Sequence, residues 1–432
     1  MLISGALHNS RGALFPALKS IGLSDEETRR AWAALRYGSW QTEELLETWR
    51  KYVAEQGEWQ ASRYGGYYTK AVDITAYWRP TLKGLKSKHY REEVDKALPA
   101  VVFGLVGRVG RVGQQRLALL TDLVRVDLQD PSKTACQTQL LQQVAEHLTA
   151  DEMPVLDAGF KLQALIQAGL KRYVVRLAKN FTARRNFLPE YGFGRPAEYG
   201  DIVRPLARSY DGKLIPATTP DRVETWQQRG LALRAEFWDD LVLTDCKTSA
   251  ENQTFTVVAV YDPRFENPWL LACSLHWSGA DFWGCYQDRW PIEQLPLAAK
   301  HMVGAQRQFV FAKESCYRLP ELSLLAGSML TYLAATLPPI PTGFLDRNPK
   351  GTPGHLRRWL GRTTFSDLPP VMNGRIHKKS SVNENLPKGI LGHKRSTQPT
   401  PIEFRSLPSF SKEFSRFNLL HFGFGVDSAT GN

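Results

Sequence analysis

The chain has 432 residues, with 55 Lys and Arg against 43 Asp and Glu, which gives a formal net charge of +12. Its 43% apolar and 23% charged residues are typical of globular proteins and exclude a disordered, collagen-like or disulfide-scaffold chain. The length predicts two or three domains, and the positive excess indicates an anionic partner, either nucleic acid or a membrane surface.

Membrane and secretory segments are not expected. Polar residues interrupt the N-terminal stretch before a signal-like apolar run can form. The most apolar stretch, residues 322–337, is too short to span a bilayer. Five cysteines without a C-x-x-C pair fit reduced thiols in a cytoplasmic protein, and Cys273, His276 and Cys285 form only a weak zinc pattern.

Residues 24–56 predict two helices. Ser24 and Glu27 match a capping box at the start of the first, and Thr42 is expected to cap the second. Gly38 lies in the turn between them. Such a pair is either a DNA-binding helix-turn-helix or a plain packing unit.

A strand-rich stretch follows the helices. Residues 67–78, which contain Asp73, are rich in aromatic and β-branched side chains and predict a strand, as do residues 100–106 and 116–126. Glycines recur between these last two strands every third residue, without the endings of a P-loop or a dinucleotide-binding loop. We predict that this glycine stretch is a hairpin connection.

The next elements alternate. A helix over 135–148, a strand over 154–156, a helix over 161–170 and a strand over 172–178 follow in order, and Asp157 comes directly after the short strand. Three strands followed by helix, strand, helix and strand predict an α/β fold with a ribonuclease-H-like mixed sheet.

The composition of the residues that follow predicts how the remainder of the chain is divided. Short apolar runs between turn residues predict an all-β insertion, and a helical region and a Pro-rich boundary follow it. The expected parts are a helical, possibly DNA-binding N-terminal domain (1–65), a catalytic core (66–195 and 276–340), a β-rich insertion (196–275) and a basic C-terminal region (341–432), largely disordered from about residue 363.

Basic charge is concentrated in two places. Residues 171–195 hold seven basic side chains against one acidic, and residues 341–432 hold 14 against 6. Chance clustering is one explanation and two tracks for DNA are the other. In the first track we single out Arg176, Arg184 and Arg185 as DNA-binding candidates.

Four residues carry the most informative spacing: Tyr286, Arg289, Glu293 and Lys300. On one continuous helix they fall within about 60° of one another. A carboxylate beside two cations and a phenol suits a metal-bound phosphodiester. The alternative is a solvated helical face with an Arg–Glu pair at i, i+4.

The pattern Tyr-x2-Arg-x3-Glu-x6-Lys resembles the signature of a large group of bacterial insertion-sequence DDE transposases. Asp157 with the following Ala-Gly-Phe resembles that group's second-aspartate region, and Asp73-Ile-Thr resembles its first. The resemblance covers roughly residues 20–335. Asp122, Asp127 and Asp130 compete with Asp73, but only Asp73 precedes the strands at 100–126, as the first carboxylate of a ribonuclease-H-like core must.

The resemblance implies a polynucleotidyl transferase of the bacterial nucleoid that cuts transposon ends and joins their 3′-hydroxyls to target DNA. Asp73, Asp157 and Glu293 would hold two Mg²⁺ ions, with Mn²⁺ as a substitute. Tyr286, Arg289 and Lys300 would contact phosphates near the transposon end, and end synapsis implies a homodimer. Trp290 stacks on a displaced base or, as we favour, packs in the core.

Two features depart from the family pattern. Pro291 and Pro296 fall inside the expected helix, where they predict a helix start or a kink. The tail after residue 363 has no counterpart in the family. A catalytically silent DNA-binding protein derived from a transposase, and a ribonuclease-H-like nuclease that cuts without joining, are the alternative functions.

Overall fold

The structure, a computed structural model, describes residues 1–79, 81–82, 87–125, 133–189, 197–341 and 346–362. The tail expected to have little order lies outside the described residues, as do Asp127, Asp130 and Arg195. The described part combines helices with one large mixed sheet, so the α/β class is confirmed. No helix in these ranges is long and apolar enough to cross a membrane.

The helices of the described residues lie before, between and after the strands. They are α1 (Ala6–Asn9), α2 (Leu14–Ser20), α3 (Asp25–Tyr37), α4 (Thr42–Gln56), α5 (Lys133–His147), α6 (Leu162–Gln167), α7 (Gly279–Arg289), α8 (Gln294–Leu297), α9 (Lys313–Thr336) and α10 (Pro353–Leu360). Short 3₁₀ turns cover Glu92–Val94 and Trp290–Glu293, and Ala298–Val303 forms a π-helical turn.

The strands fall into an early and a late group. The early strands are β1 (Trp59–Ala61), β2 (Arg63–Tyr64), β3 (Tyr67–Trp78), β4 (Lys88–Arg91), β5 (Lys96–Val112), β6 (Gln115–Arg125), β7 (Glu152–Leu156), β8 (Val174–Arg176) and β9 (Ala183–Arg185). The late strands are β10 (Ile202–Val203), β11 (Arg208–Tyr210), β12 (Lys213–Ile215), β13 (Arg222–Gln228), β14 (Leu231–Val242), β15 (Phe255–Tyr261) and β16 (Trp269–Cys273).

The centre of the sheet has the order β6-β5-β3-β7-β8. Strand β5 is antiparallel to both β6 and β3, whereas β3, β7 and β8 run parallel to one another. The carboxyl ends of these three parallel strands therefore lie at one edge. The sheet then continues antiparallel through β16, β15, β14, β9 and β10, so most of the β-rich segment 196–275 extends the same sheet.

Alternating side chains of the central strands belong to different cores. Ala71 and Leu105 pack in one cluster with Leu295 of α8 and with side chains of α9. Val72 lies in a second cluster with Leu140 of α5 and residues of α6. One face of the sheet is thus covered by α7–α9 and the other by α5 and α6.

The sequence analysis predicted that the glycine stretch is a hairpin connection, but most of this stretch is strand. Strand β5 runs through three of its glycines, and only Gly113 lies in the turn before β6. A methyl group on Gly107 would lie 2.6 Å from Cδ1 of Ile292, and one on Gly104 would lie 2.5 Å from Leu140. These glycines permit close packing of helical segments on both faces, which includes the segment that carries Glu293.

The two predicted N-terminal helices are α3 and α4. Ser24 and Glu27 form the expected capping box. Thr42 does not cap α4, because Gln41 holds that position; the Thr42 hydroxyl instead donates to Glu321 at 2.8 Å. Trp49 of α4 is 1% exposed in the cluster that contains α9. One face of α4 is therefore committed to packing.

Candidate functional site

Asp73 and Asp157 come from adjacent parallel strands. Ala71 of β3 pairs with Val155 of β7, and Asp157 follows the end of β7, so the same register continued by two residues sets Asp157 beside Asp73. Neighbouring strands lie about 4.8 Å apart. Because Ala71 faces the α7–α9 side, alternation directs both carboxylates to that side.

Arg176 continues this row onto the third parallel strand. Leu156 of β7 pairs with Val175 of β8, so the next step of the register sets Arg176 beside Asp157. Val174, two residues earlier on β8, packs with residues of α7, and Arg176 therefore faces the same side. The carboxyl ends of β3, β7 and β8 thus present two acids and one base in line.

Tyr286 of α7 joins this row to Arg289. Its ring lies 5.7 Å from the Arg176 guanidinium and 5.8 Å from that of Arg289. Trp269 packs against the ring at 5.3 Å, and the whole side chain is only 1% exposed. Tyr286 is therefore a buried ring within cation–π distance of two guanidinium groups rather than a surface phenol.

Arg289 is buried next to the carboxylates. Its Nη2 donates to Oε1 of Glu293 at 2.5 Å, while its Nε and Nη1 are buried without a hydrogen-bond partner among the described residues. Burial opposes its charge, but Tyr286, Asp157, Glu293 and Asp73 together raise the pKa of Arg289. A buried guanidinium with unused donors is costly unless an anion binds it.

The residues of the Tyr-Arg-Glu-Lys pattern do not lie on one continuous α-helix, and the change of helix type at Pro291 agrees with the helix start or kink that the prolines predicted. Helix α7 ends at Arg289, a 3₁₀ turn covers Pro291, and Lys300 lies in the π-helical turn. The chain remains helical throughout but its pitch changes at each junction. Proline lacks the amide that a regular α-helix uses, which accounts for the 3₁₀ turn at Pro291.

The charges of the site interact across these elements. Burial, reinforced by Asp157 and Glu293, raises the pKa of Asp73 to about 6, although Arg289 and an amide hydrogen bond from Ile74 oppose the shift. Burial also lowers the pKa of Lys300 to about 8, against the charges of Asp73 and Glu93. The three candidate carboxylates, Arg289 and Lys300 are therefore one electrostatic group.

Asp122, a competitor of Asp73, faces away from this group. It pairs with Val106, whose side chain belongs to the α5–α6 face, and its carboxylate lies 3.9 Å from Nζ of Lys70. Lys70 also forms an ion pair with the buried Glu152 at 3.0 Å. Asp122 thus lies on the opposite side of the sheet from Asp73.

Three other predicted DNA-binding residues have unexpected surroundings. Trp290 is 43% exposed, edge-on to Phe265 at 6.2 Å, so the favoured core packing was wrong. Arg185 forms two hydrogen bonds of 2.6 Å with Asp221. Arg184 donates to the carbonyls of Thr244 and Gly200. Both arginines are thereby engaged within the protein.

The sequence did not point to Trp78, which lies next to Lys300, or to Arg91, which lies next to Trp78. Nζ of Lys300 is 5.1 Å from the centre of the Trp78 ring, and the Arg91 guanidinium is 5.4 Å from it. The position of Trp78 five residues after Asp73 on a predicted strand was the only available signal. Arg91 had none, because its approach depends on the hairpin of β4 and β5.

The donor set is of the kind that a hard divalent cation prefers: carboxylate oxygens, one of them on a buried group with a raised pKa. In the described residues, however, no three or more His, Cys, Asp or Glu side chains lie close enough together to hold a metal ion. Burial raises the pKa of Cys273 to about 12, which disfavours the thiolate that zinc would need.

Neither the family models nor the curated proteins that were searched contain a match to this chain.

Proposed function

We propose that the protein is a DDE transposase, which cleaves the ends of a mobile DNA element and joins the freed 3′-hydroxyls to target DNA. The observation that carries this proposal is the charge interaction of Asp73, at the carboxyl ends of parallel strands, with Asp157, Glu293 and the buried, incompletely paired Arg289. The strand order β6-β5-β3-β7-β8, with its two antiparallel and two parallel pairings, supports a ribonuclease-H-like core.

The cations of the site suit a phosphodiester backbone. Arg289 has two buried donor nitrogens without a partner among the described residues, and a phosphate oxygen would satisfy them. The Arg176 guanidinium lies 5.7 Å from the centre of the Tyr286 ring, and the charge of Lys300 interacts with that of Asp73. Together they would neutralise the negative charge of the phosphoryl oxygens during in-line displacement.

The carboxylates Asp73, Asp157 and Glu293 would hold Mg²⁺, or Mn²⁺ in its place. The bound cation would activate the attacking hydroxyl and stabilise the leaving oxygen. The protein's own part is to fix the acids on adjacent strands and to place Glu293 by the packing of Ile292 against Gly107. DNA is the proposed partner, and a homodimer would hold two ends.

The test is a strand-transfer assay with duplexes taken from the DNA that flanks the reading frame, with Mg²⁺ present. A transposase cuts these duplexes and joins the product to a second DNA. A nuclease yields cut DNA without joined product, and a silent DNA-binding protein yields a bound complex without either. Inverted repeats in the flanking DNA would supply the end sequence for the assay.

A further inference from the structure

A second set of charged and aromatic residues lies beside Lys300, on the hairpin of β4 and β5. Lys88–Arg91 pairs antiparallel with residues 96–99, and Asp95 at φ 48° completes the turn. The hairpin is fastened to the end of β3, because Nε1 of Trp78 donates to the carbonyl of His89 at 3.2 Å. Its position therefore depends on the strand that carries Asp73.

Two cations share the Trp78 ring. Nζ of Lys300 lies 5.1 Å from its centre and the Arg91 guanidinium 5.4 Å from it. The Tyr286 ring has the same relation to Arg176 and Arg289. Two aromatic rings of the site thus each lie within 6 Å of two cations, and only one of these four cations, Arg91, was not expected to belong to the site.

Glu93 is the counter-ion of this second pair. Its Oε2 accepts from Nε of Arg91 at 3.0 Å. Hydrogen bonds from its own amide and from Arg91 lower the pKa of Glu93, and the charge of Lys300 contributes. The Glu93 side chain is 66% exposed, so solvent screens its attraction for Arg91. Such a pair is readily exchanged for a stronger anion.

We propose that Arg91 binds a phosphate of the substrate DNA next to the one bound by Lys300, and that Glu93 holds the place of that phosphate until DNA arrives. This inference rests on the proposed function. A guanidinium presents a planar fork that matches two phosphate oxygens, whereas its present partner meets it at one nitrogen. Trp78 is the positioning residue that sets the spacing of the two cations.

The experiment measures affinity for a short fluorescein-labelled duplex by anisotropy over a range of salt. Arg91→Ala is expected to weaken binding and to reduce the slope of log affinity against log salt by about 1. Arg91→Lys keeps the charge and is expected to retain the slope with weaker binding. Glu93→Gln is expected to strengthen binding, because it removes the competing anion.

Lys88→Ala is the matched control, since Lys88 is an exposed cation of the same hairpin. It is expected to change the salt slope less than Arg91→Ala does. An unchanged slope in Arg91→Ala, or weaker binding by Glu93→Gln, overturns the proposal. A Glu93→Gln variant that binds more tightly cannot be explained by a purely structural role of the hairpin. If the wild-type protein neither cuts nor joins DNA, the proposed function fails, whatever the slopes show.

Discussion

Arg289 donates a hydrogen bond from Nη2 to Oε1 of Glu293 across the junction between α7 and the 3₁₀ turn. The arginine side chain is 5% exposed and the glutamate 53% exposed. Glu293 therefore approaches from the solvent side of a buried cation that retains two unused donors. This relationship makes Glu293 the accessible carboxylate of the site and Arg289 its fixed anchor.

The first prediction concerns Glu293→Gln. The amide keeps an oxygen for Arg289 but loses the negative charge that a cation needs, so we expect Mg²⁺-dependent cleavage to fall by roughly 10²-fold or more. Binding of end DNA is expected to persist, because the basic residues are intact. Glu266→Gln, which changes an exposed glutamate, is the control. Undiminished cleavage by Glu293→Gln would remove this residue from the proposed metal site.

The second prediction follows from the pKa of Asp73, which is about 6 against an ordinary value of 3.8. Between these values the folded protein holds a proton that the unfolded chain has released, so stability falls as pH rises through this window. Asp73→Asn removes the charge. We expect it to stabilise the protein at neutral pH by roughly 3 kcal/mol and to have little effect near pH 4.

Thermal melts at the two pH values check this prediction. Asp122→Asn is the control, because Asp122 faces the other side of the sheet and pairs with Lys70. Mg²⁺ is expected to raise the Tm of the wild type more than that of Asp73→Asn. A gain of equal size at both pH values would show that the charge of Asp73 is not the cause.

Local signals predicted the main elements of the fold. The capping box at Ser24 and the strands around Asp73 and Asp157 depend on neighbouring residues, and these elements agree with the structure. The prediction for the glycine stretch was wrong because these glycines are required by packing against distant residues and not by a local turn. Because Gly104 and Gly107 lack side chains, Leu140 and Ile292 can approach β5 closely, and both of these residues are distant in the sequence.

The site was predicted in its residue types more than in its geometry. The four-residue spacing of Arg289 and Glu293 predicted an ion pair at i, i+4, and the structure contains this pair. Proline and the π-helical turn changed the path to Lys300, which a constant helical angle cannot represent. The positive charge of Arg185 was visible, but its partner Asp221 lies 36 residues away.

The third prediction distinguishes the role of the Tyr286 ring from the role of its hydroxyl. The ring spaces Arg176 and Arg289 and is buried, so Tyr286→Phe is expected to retain most DNA binding and cleavage. Tyr286→Leu removes both cation–π contacts and is expected to cost about 1–3 kcal/mol of stability along with activity. Chemical denaturation and the cleavage assay check the pair. Equal loss of cleavage in both variants would instead assign the function to the hydroxyl.

The fourth prediction distinguishes two arginines of the basic segment. Arg185 forms paired hydrogen bonds with Asp221 and is largely buried, so Arg185→Ala removes two hydrogen bonds from that carboxylate and leaves it the one from the Asp239 amide. We expect Arg185→Ala to lower stability by roughly 1–3 kcal/mol and to leave the salt dependence of DNA binding nearly unchanged. Arg176 lies beside Asp157 and across the Tyr286 ring.

Arg176→Ala is therefore expected to do the reverse, with a salt slope lower by about 1 and a smaller loss of stability. Anisotropy titrations over a range of salt, paired with urea denaturation of the same variants, measure both quantities. If Arg185→Ala flattened the salt dependence and Arg176→Ala did not, the DNA track would run along β9 rather than along the carboxyl ends of β3, β7 and β8. The two variants thus locate the path of the DNA backbone relative to Asp73 and Asp157.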